Sequence, residues 1–282
     1  MGNANQTSFK HYDFNDGLSA NLVNSIYQDS TGFVWFGTKN GLNRFDGFNF
    51  KHYPFVPADS NTISGQEVTS IISVSVDELW VGTETGLNKL NPVTGVNQRY
   101  FQRDNDENSL LWNYILCLYV SKNNELFIGT SLGICKYLPE SNNFDRLPNV
   151  NEKISGKSTF IDRIEEDENG NIWFLAGGIH LVQMNPSLEQ VVSVNTIPGE
   201  VSHEQIRNDF TIVNGRIVIG SRNDIVTYLP QQREFKFWNL KGIPNSSELY
   251  ATAIVNNDDH TLYFGTTQSG MLKVNINTQK IE

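Results

Sequence analysis

A short motif that returns every 45–47 residues limits what this chain can fold into more than any other feature. Its anchor is an aromatic or apolar residue followed two positions later by Gly and then Thr or Ser. It reads Trp35-Phe36-Gly37-Thr38, Trp80-Val81-Gly82-Thr83, Phe127-Ile128-Gly129-Thr130, Val218-Ile219-Gly220-Ser221 and Tyr263-Phe264-Gly265-Thr266. A degenerate copy, Trp173-Phe174-Leu175-Ala176, stands between the third and fourth of these. Successive anchors are 45, 47, 46, 45 and 45 residues apart. Repetition at a fixed period of this size means stacked supersecondary units.

Each copy has the same internal grammar. About twelve residues before the anchor comes an apolar position (Val23, Val68, Ile115, Ile161, Ile206, Ala251), and three residues later another (Ile26, Ile71, Leu118, Ile164, Ile254). The fifth copy has Asp209 at that second place, with Phe210 beside it. This run is read as strand a. A turn follows, clearest in Asp29-Ser30-Thr31-Gly32 and Asp167-Glu168-Asn169-Gly170. Asp and Asn bond their own backbone in turns, and Gly supplies positive φ without a Cβ clash.

The anchor then forms strand b. A second turn ends at Gly41, Gly86, Gly133, Gly178 or Gly270, or at Asp224 in the fifth copy, and strand c follows. A less regular strand d closes each unit, at Phe48–Tyr53, Asn97–Phe101, Asn143–Leu147, Gln190–Val194 and Glu234–Trp238.

Four strands of about five residues, with connections of about four to six, fill such a period. A lone four-stranded meander cannot bury both its faces, and radial stacking of such meanders can. The expected fold is therefore an all-β propeller of six four-stranded antiparallel blades in one domain over 1–282. The blades are expected near 15–55, 60–103, 107–148, 155–195, 201–240 and 247–282. Ser8-Phe9-Lys10-His11-Tyr12 resembles the strand d at Phe48–Tyr53, while the last copy reaches only strand c by about Asn275. A strand over 8–14 is accordingly expected to complete the last blade; the competing expectation is an array cut short, with one blade missing.

Composition narrows the function classes. The formal charge is −10 and the pI about 5.0, so a nucleic acid or an anionic membrane surface is a poor partner for this chain. No apolar run reaches the length of a membrane span, and the first residues lack the basic and apolar regions of a signal peptide. Cys117 and Cys135 are expected on strands separated by a third, about 10 Å apart, hence as buried free thiols.

The stretch from Asn15 to Gly47, with Val23-Asn24-Ser25-Ile26-Tyr27-Gln28-Asp29 leading into Trp35-Phe36-Gly37-Thr38 and Gly41-Leu42-Asn43-Arg44-Phe45-Asp46-Gly47, resembles the regulator-propeller repeat. Phe50-Lys51-His52-Tyr53, the loop Asp59-Ser60-Asn61-Thr62-Ile63-Ser64 and Asp104-Asn105-Asp106-Glu107-Asn108-Ser109-Leu110 fit the same family. The resemblance covers essentially the whole chain and is stronger in the first three copies. It implies the periplasmic sensor region of a bacterial hybrid histidine kinase or a membrane-bound GGDEF (diguanylate cyclase) protein. In that family, propellers usually have seven blades and precede an immunoglobulin-like domain, a membrane helix and a cytoplasmic output domain. A homodimer of the full-length protein and contacts with a neighbouring propeller are part of the same expectation.

Chemistry is harder to find. The histidines, His11, His52, His180, His203 and His260, have no ligand spacing, so no metal or cofactor is expected. Asp29-x-x-Gly32-x-x-Trp35 and Asp167-x-x-Gly170-x-x-Trp173 resemble the Asp-box hairpin and the streptogramin-lyase repeat. The plainer explanation is that Asp and Gly make the turn while Trp packs between blades. A lyase or hydrolase would need a His and carboxylate cluster at the channel mouth, and none can be assembled. Binding is the better expectation. The d-to-a and b-to-c loops of a propeller open on one face, where this chain would carry Asn24, Lys39, Glu84, Trp112, Tyr114, His203, Arg222 and Tyr250. Rings that stack and polar ends that hydrogen-bond suit an oligosaccharide or a peptide, with Trp112 and Tyr114 foremost. The reading is a non-catalytic ligand sensor; the alternatives are a streptogramin-lyase-type enzyme and a docking scaffold.

Overall fold

Apolar side chains on both faces are what a strand sandwiched between two sheets requires, and second strands such as Ile172–Ala176, buried throughout, deliver them. The computed structural model describes residues 10–155, 159–187, 189–198, 209–221, 224–239, 251–266 and 270–281. It divides into two compact units, 1–99 and 100–282.

The first unit carries two blades. Blade one is β1 (Val23–Gln28), β2 (Val34–Thr38), β3 (Gly41–Phe45) and β4 (Phe50–Tyr53); blade two is β5 (Val68–Ser75), β6 (Glu78–Thr83), β7 (Leu87–Leu90) and β8 (Asn97–Tyr100). The second unit carries four more. Blade three is β9 (Ile115–Val120), β10 (Leu126–Thr130), β11 (Gly133–Leu138) and β12 (Asn143–Asp145). Blade four, after the short helix α1 (Pro148–Ile154), is β13 (Ile161–Glu166), β14 (Ile172–Ala176), β15 (His180–Asn185) and β16 (Gln190–Thr196). Blade five is β17 (Phe210–Val213), β18 (Arg216–Gly220), β19 (Asp224–Leu229) and β20 (Glu234–Asn239). Blade six is β21 (Ala251–Asp258), β22 (Thr261–Thr266), β23 (Met271–Asn275) and β24 (Lys280–Ile281). All six sheets are four-stranded meanders in sequence order, and every pairing in them is antiparallel. The fold class is an all-β propeller built of six such blades.

The apolar core lies between blades. Trp35 and Leu42 pack with Val68, Ile71, Leu79, Val81 and Leu90, joining blades one and two. Blade four shows the alternation directly: Ile172, Phe174 and Ala176 pack towards blade three, while Trp173, Leu175 and Leu181 pack towards blade five. Val218 and Ile225 meet Ile254, Leu262 and Phe264 between blades five and six. Burial of such side chains contributes about 1.5–3 kcal/mol each before the entropic cost of ordering them.

The anchor glycine has a spatial cause. A Cβ on Gly129 would collide with Cys117 Sγ and come within 2.6 Å of the carbonyl oxygen of Ile161, on the first strand of the next blade. A Cβ on Gly37 would meet Ser25 Oγ and lie 2.7 Å from Val68 Cγ1. Neighbouring first strands thus cross directly over this position, and a side chain would hold the blades apart.

Three expectations need correction. The fourth strand of blade six is β24, paired with β23; of the strand expected over 8–14 to take that place, residues 8 and 9 lie outside the described residues. The Asn275 side chain accepts the N–H groups of Asn277 and Thr278, which turns the chain back for that pairing. Residues 10–13 are not in a strand, Phe14–Asp16 is a single 3-10 turn capped by Asp13, and Tyr12 packs edge-on against Phe45 and Phe50 of blade one. In the fifth copy the buried apolar position is Phe210, which pairs with Ile219, so Asp209 falls one residue earlier than the repeat suggested. Helix α1 was not expected; Pro148 at its start and buried Val150 and Ile154, four residues apart, are its sequence signal. Cys117 and Cys135 are free and buried on β9 and β11, with β10 between them.

Candidate functional site

The Asp-to-Trp motif is a capping device. Asp29 Oδ1 accepts from Thr31 N (2.9 Å), Thr31 Oγ1 (2.6 Å) and Phe33 N (3.1 Å), and Oδ2 accepts from Trp35 Nε1 (2.7 Å). Asp167 repeats this with Asn169 N, Asn171 N and Trp173 Nε1 at 2.8 Å. Both indoles are buried, so each needs an acceptor for its N–H. Copy two has Val74 where the first copy has Asp29, and Glu78 Oε1 takes the Trp80 N–H instead, at 2.8 Å. Copy three has Phe127, which has no N–H to satisfy. The acid follows the indole, as a structural role demands. Burial pushes the Asp29 carboxyl up, yet the bonds from Thr31, Trp35 and Phe33 bring it below the usual range.

The Gly-Thr half of the motif closes the turn between the second and third strands. The hydroxyl of Thr38, Thr83, Thr130 and Thr266 donates to the carbonyl of Gly41, Gly86, Gly133 and Gly270, at 3.0, 2.9, 2.9 and 2.8 Å. Blades one and two add a buried polar network at the same end. Asn43 Nδ2 donates to Ser19 Oγ (2.7 Å), Ser19 N donates to Asn43 Oδ1 (3.0 Å), and Ser19 Oγ lies 2.9 Å from Thr38 Oγ1. Asn88, Ser64 and Thr83 reproduce it at 2.9, 2.8 and 3.0 Å. Cys135 replaces the Asn in blade three, and burial pushes its thiol up to about 12. It is an inert packing group.

The Asp59–Ser64 and Asp106–Leu110 loops owe their shape to arginines that the sequence reading overlooked. Arg99 donates to the carbonyls of Asp59, Thr62 and Ile63, and Arg146 to those of Asp106, Ser109 and Leu110. The two arginines are 47 residues apart, the spacing between the second and third anchors, so the repeat did carry the signal.

In the first unit, Asn24 and Glu84 converge through Glu67. Asn24 Nδ2 donates to Glu67 Oε1 and to the Val68 carbonyl, both at 3.1 Å, and Glu84 accepts from Gln66 N (3.0 Å) and Glu67 N (2.9 Å). Both therefore hold the loop between blades one and two. Lys39 is exposed at the tip of the adjoining turn, its N–H bonded to the Leu22 carbonyl. In the second unit Trp112 is 41% exposed, and the Tyr114 carbonyl accepts from Ser131 N of the turn that also bears exposed Leu132. Trp112, Tyr114 and Leu132 thus stand at one end of blade three. His203, Arg222 and Tyr250 lie outside the described residues.

Blades four and five carry charge where the others carry small side chains. Arg163 Nη2 meets Glu165 Oε1 at 2.5 Å, and Arg163 Nε lies 3.3 Å from Asp209 Oδ1. Among the described residues no group of three or more His, Cys, Asp or Glu is placed to hold a metal. A cavity of about 430 Å³ lies between α1 and β16, lined by Asn149, Glu152, Lys153, Gln190 and Val191. It coincides with none of the expected ligand residues.

Family comparison meets this architecture at its clearest copy. Residues 17–40, spanning the capped turn, Trp35 and Gly37, match the two-component regulator propeller family. The chain carries a two-component regulator propeller repeat. A stretch of 56 residues is 50% identical to histidine kinase P4 of Formosa agariphila, covering 20% of this chain and 4% of that protein. Among solved structures, the extracellular domain of a hybrid two-component system of B. thetaiotaomicron superposes with a TM-score of 0.77 at 23% identity, over 97% of this chain and 36% of that one. The extracellular domain of a one-component system of the same organism gives 0.75 at 18% identity, over 92% and 34%. The chain thus spans about a third of each. A catalytically inactive virginiamycin B lyase from Staphylococcus aureus, solved with quinupristin, gives 0.66 at 15% identity, over 89% and 79%. At these identities the three superpositions speak for the fold alone. The regulator-propeller match rests on residues that cap turns and pack blades, so it too describes scaffold before function.

Proposed function

We propose that this chain is a non-catalytic sensory propeller of a membrane-bound bacterial two-component protein, placed outside the cytoplasm and coupled to a histidine kinase output. The observation that carries this reading is the regulator-propeller repeat at residues 17–40, supported by 50% identity over 56 residues to a histidine kinase. The extracellular setting of the two B. thetaiotaomicron domains supports the location. The ligand would be an oligosaccharide or peptide that stacks on Trp112 beside Tyr114, and signalling would require it to favour one arrangement of a dimer over another. An adjoining propeller and an immunoglobulin-like domain would be the intramolecular partners.

A second reading, a docking scaffold, is favoured by Asn24 and Glu84, whose polar groups are engaged in holding their own loop. A thermal-shift screen with oligosaccharides and peptides separates the two. A ligand present at about 100 times its Kd stabilises by about 2.7 kcal/mol, a readable rise in melting temperature. The sensor reading expects such a rise, abolished by Trp112→Ala. No rise with any probe on this chain, while the full extracellular region responds, would favour the scaffold.

A further inference from the structure

The residue just before the second apolar position of each first strand lies opposite the anchor of strand two. It is Ser25, Ser70, Cys117 and Ala253 in blades one, two, three and six, opposite Gly37, Gly82, Gly129 and Gly265. In blades four and five it is Arg163 and Asp209. These two charges form one continuous link. Arg163 holds Glu165 on its own strand β13 and reaches Asp209 at the start of β17. The two Asp209 oxygens take Phe210 N at 2.9 Å and, from β21, Ile254 N at 2.7 Å. The guanidinium thus joins the first strands of blades four and five, and the Asp209 carboxylate carries the link on to blade six.

The charges do not balance. One guanidinium faces two carboxylates whose side chains are only 17% and 16% exposed. Among the described residues, the other groups facing Glu165 add no cation. Strand β9 presents the Tyr119 hydroxyl, pushed up to about 12 by burial and by Glu166 and Glu165, together with the Cys117 thiol. Strand β13 itself carries Asp162 and Glu166, and β17 adds the Ile212 backbone, which bonds Glu165. Burial pushes the Asp209 carboxyl up as well, but its oxygens accept two backbone N–H groups besides facing the arginine, where Glu165 has only the Ile212 backbone besides it. Glu165 is the less well served.

We propose that Glu165 takes up a proton in mildly acidic solution, which removes the surplus negative charge and tightens the junction of blades four, five and six. Burial, outweighing the pull of Arg163, holds the Glu165 carboxyl above the ordinary carboxylate range, in accord with this. A raised folded value means that the native state binds the proton first. Stability is then gained as pH falls through that value and levels off below the unfolded one, about 4.3. The device stands independently of the sensor reading.

The test compares wild type with Glu165→Gln, which keeps the shape without the charge. The variant is expected to melt about 3 °C above wild type near pH 8, the gap closing towards about pH 4.5. A gap that is constant, or that widens as pH falls, overturns the proposal. Carbon-13 titration of the Glu165 carboxyl in the wild-type protein gives a readout independent of the variant. A midpoint above those of the exposed glutamates supports the proposal, and one among them overturns it.

Discussion

Blades one and two and blades four to six meet the same demand, polar groups buried beside a β-stack, by different chemistry. In the first pair, neutral Ser, Thr and Asn side chains satisfy one another, and Asn43 and Asn88 do so in almost superimposable networks. In blades four to six an arginine and two carboxylates do the linking. A neutral network is indifferent to pH, whereas an ion cluster with a charge left over is not. One repeat can therefore yield one scaffold with two different responses to solution conditions.

The largest expected effect concerns the feature that the regions share. Gly129→Ala should cost about 3 kcal/mol or prevent folding, because the added Cβ meets backbone as well as a thiol. Gly37→Ala should cost less in urea unfolding, since its neighbours are side chains that can shift. Next, Asn88→Ala in the neutral network should cost about 2 kcal/mol by taking the acceptor from the buried Ser64 N–H. Its difference from wild type should hold steady across neutral and mildly acidic pH, unlike that of Glu165→Gln. A pH-dependent Asn88→Ala effect would break the contrast.

Smaller still is the loss at the capped turn, about 1–2 kcal/mol for Asp29→Ala at neutral pH. The folded Asp29 carboxyl lies below its ordinary value, so its contribution is present above about pH 4 and lost as pH falls through the folded value. Chemical denaturation at stepwise lower pH should therefore bring variant and wild type together. Trp112→Ala, on an exposed loop, should change stability by less than about 0.5 kcal/mol.

How far this was readable in advance depended on whether a feature repeats. The anchors, the capped turns and the fourth strands recur at the period, so their elements were legible, although the ends of several fourth strands were not. Phe48–Tyr53 was expected where Phe50–Tyr53 forms, because Asp46 accepts the N–H groups of Phe48 and Asn49 and holds them in a turn. Helix α1 occurs once and is too short to show more than one apolar pair. The Arg163 cluster joins residues 46 apart whose charges match only once folded (209 − 163), and the offset at Asp209 hid the relation. Within the candidate face, residue type was legible and engagement was not: Asn24 and Glu84 looked free as letters and are bonded as side chains.

The central claim is that the repeat signature is a turn-and-packing device, and a double-mutant cycle tests it most directly. Asp29→Ala, Trp35→Phe and the pair would be compared by denaturant unfolding at neutral pH. Because Phe has no N–H, losing the carboxylate should matter less in its presence, giving a coupling of about 1–2 kcal/mol. Additivity within about 0.3 kcal/mol would contradict the account and leave the conserved pairing of acid and indole within this chain without a structural cause.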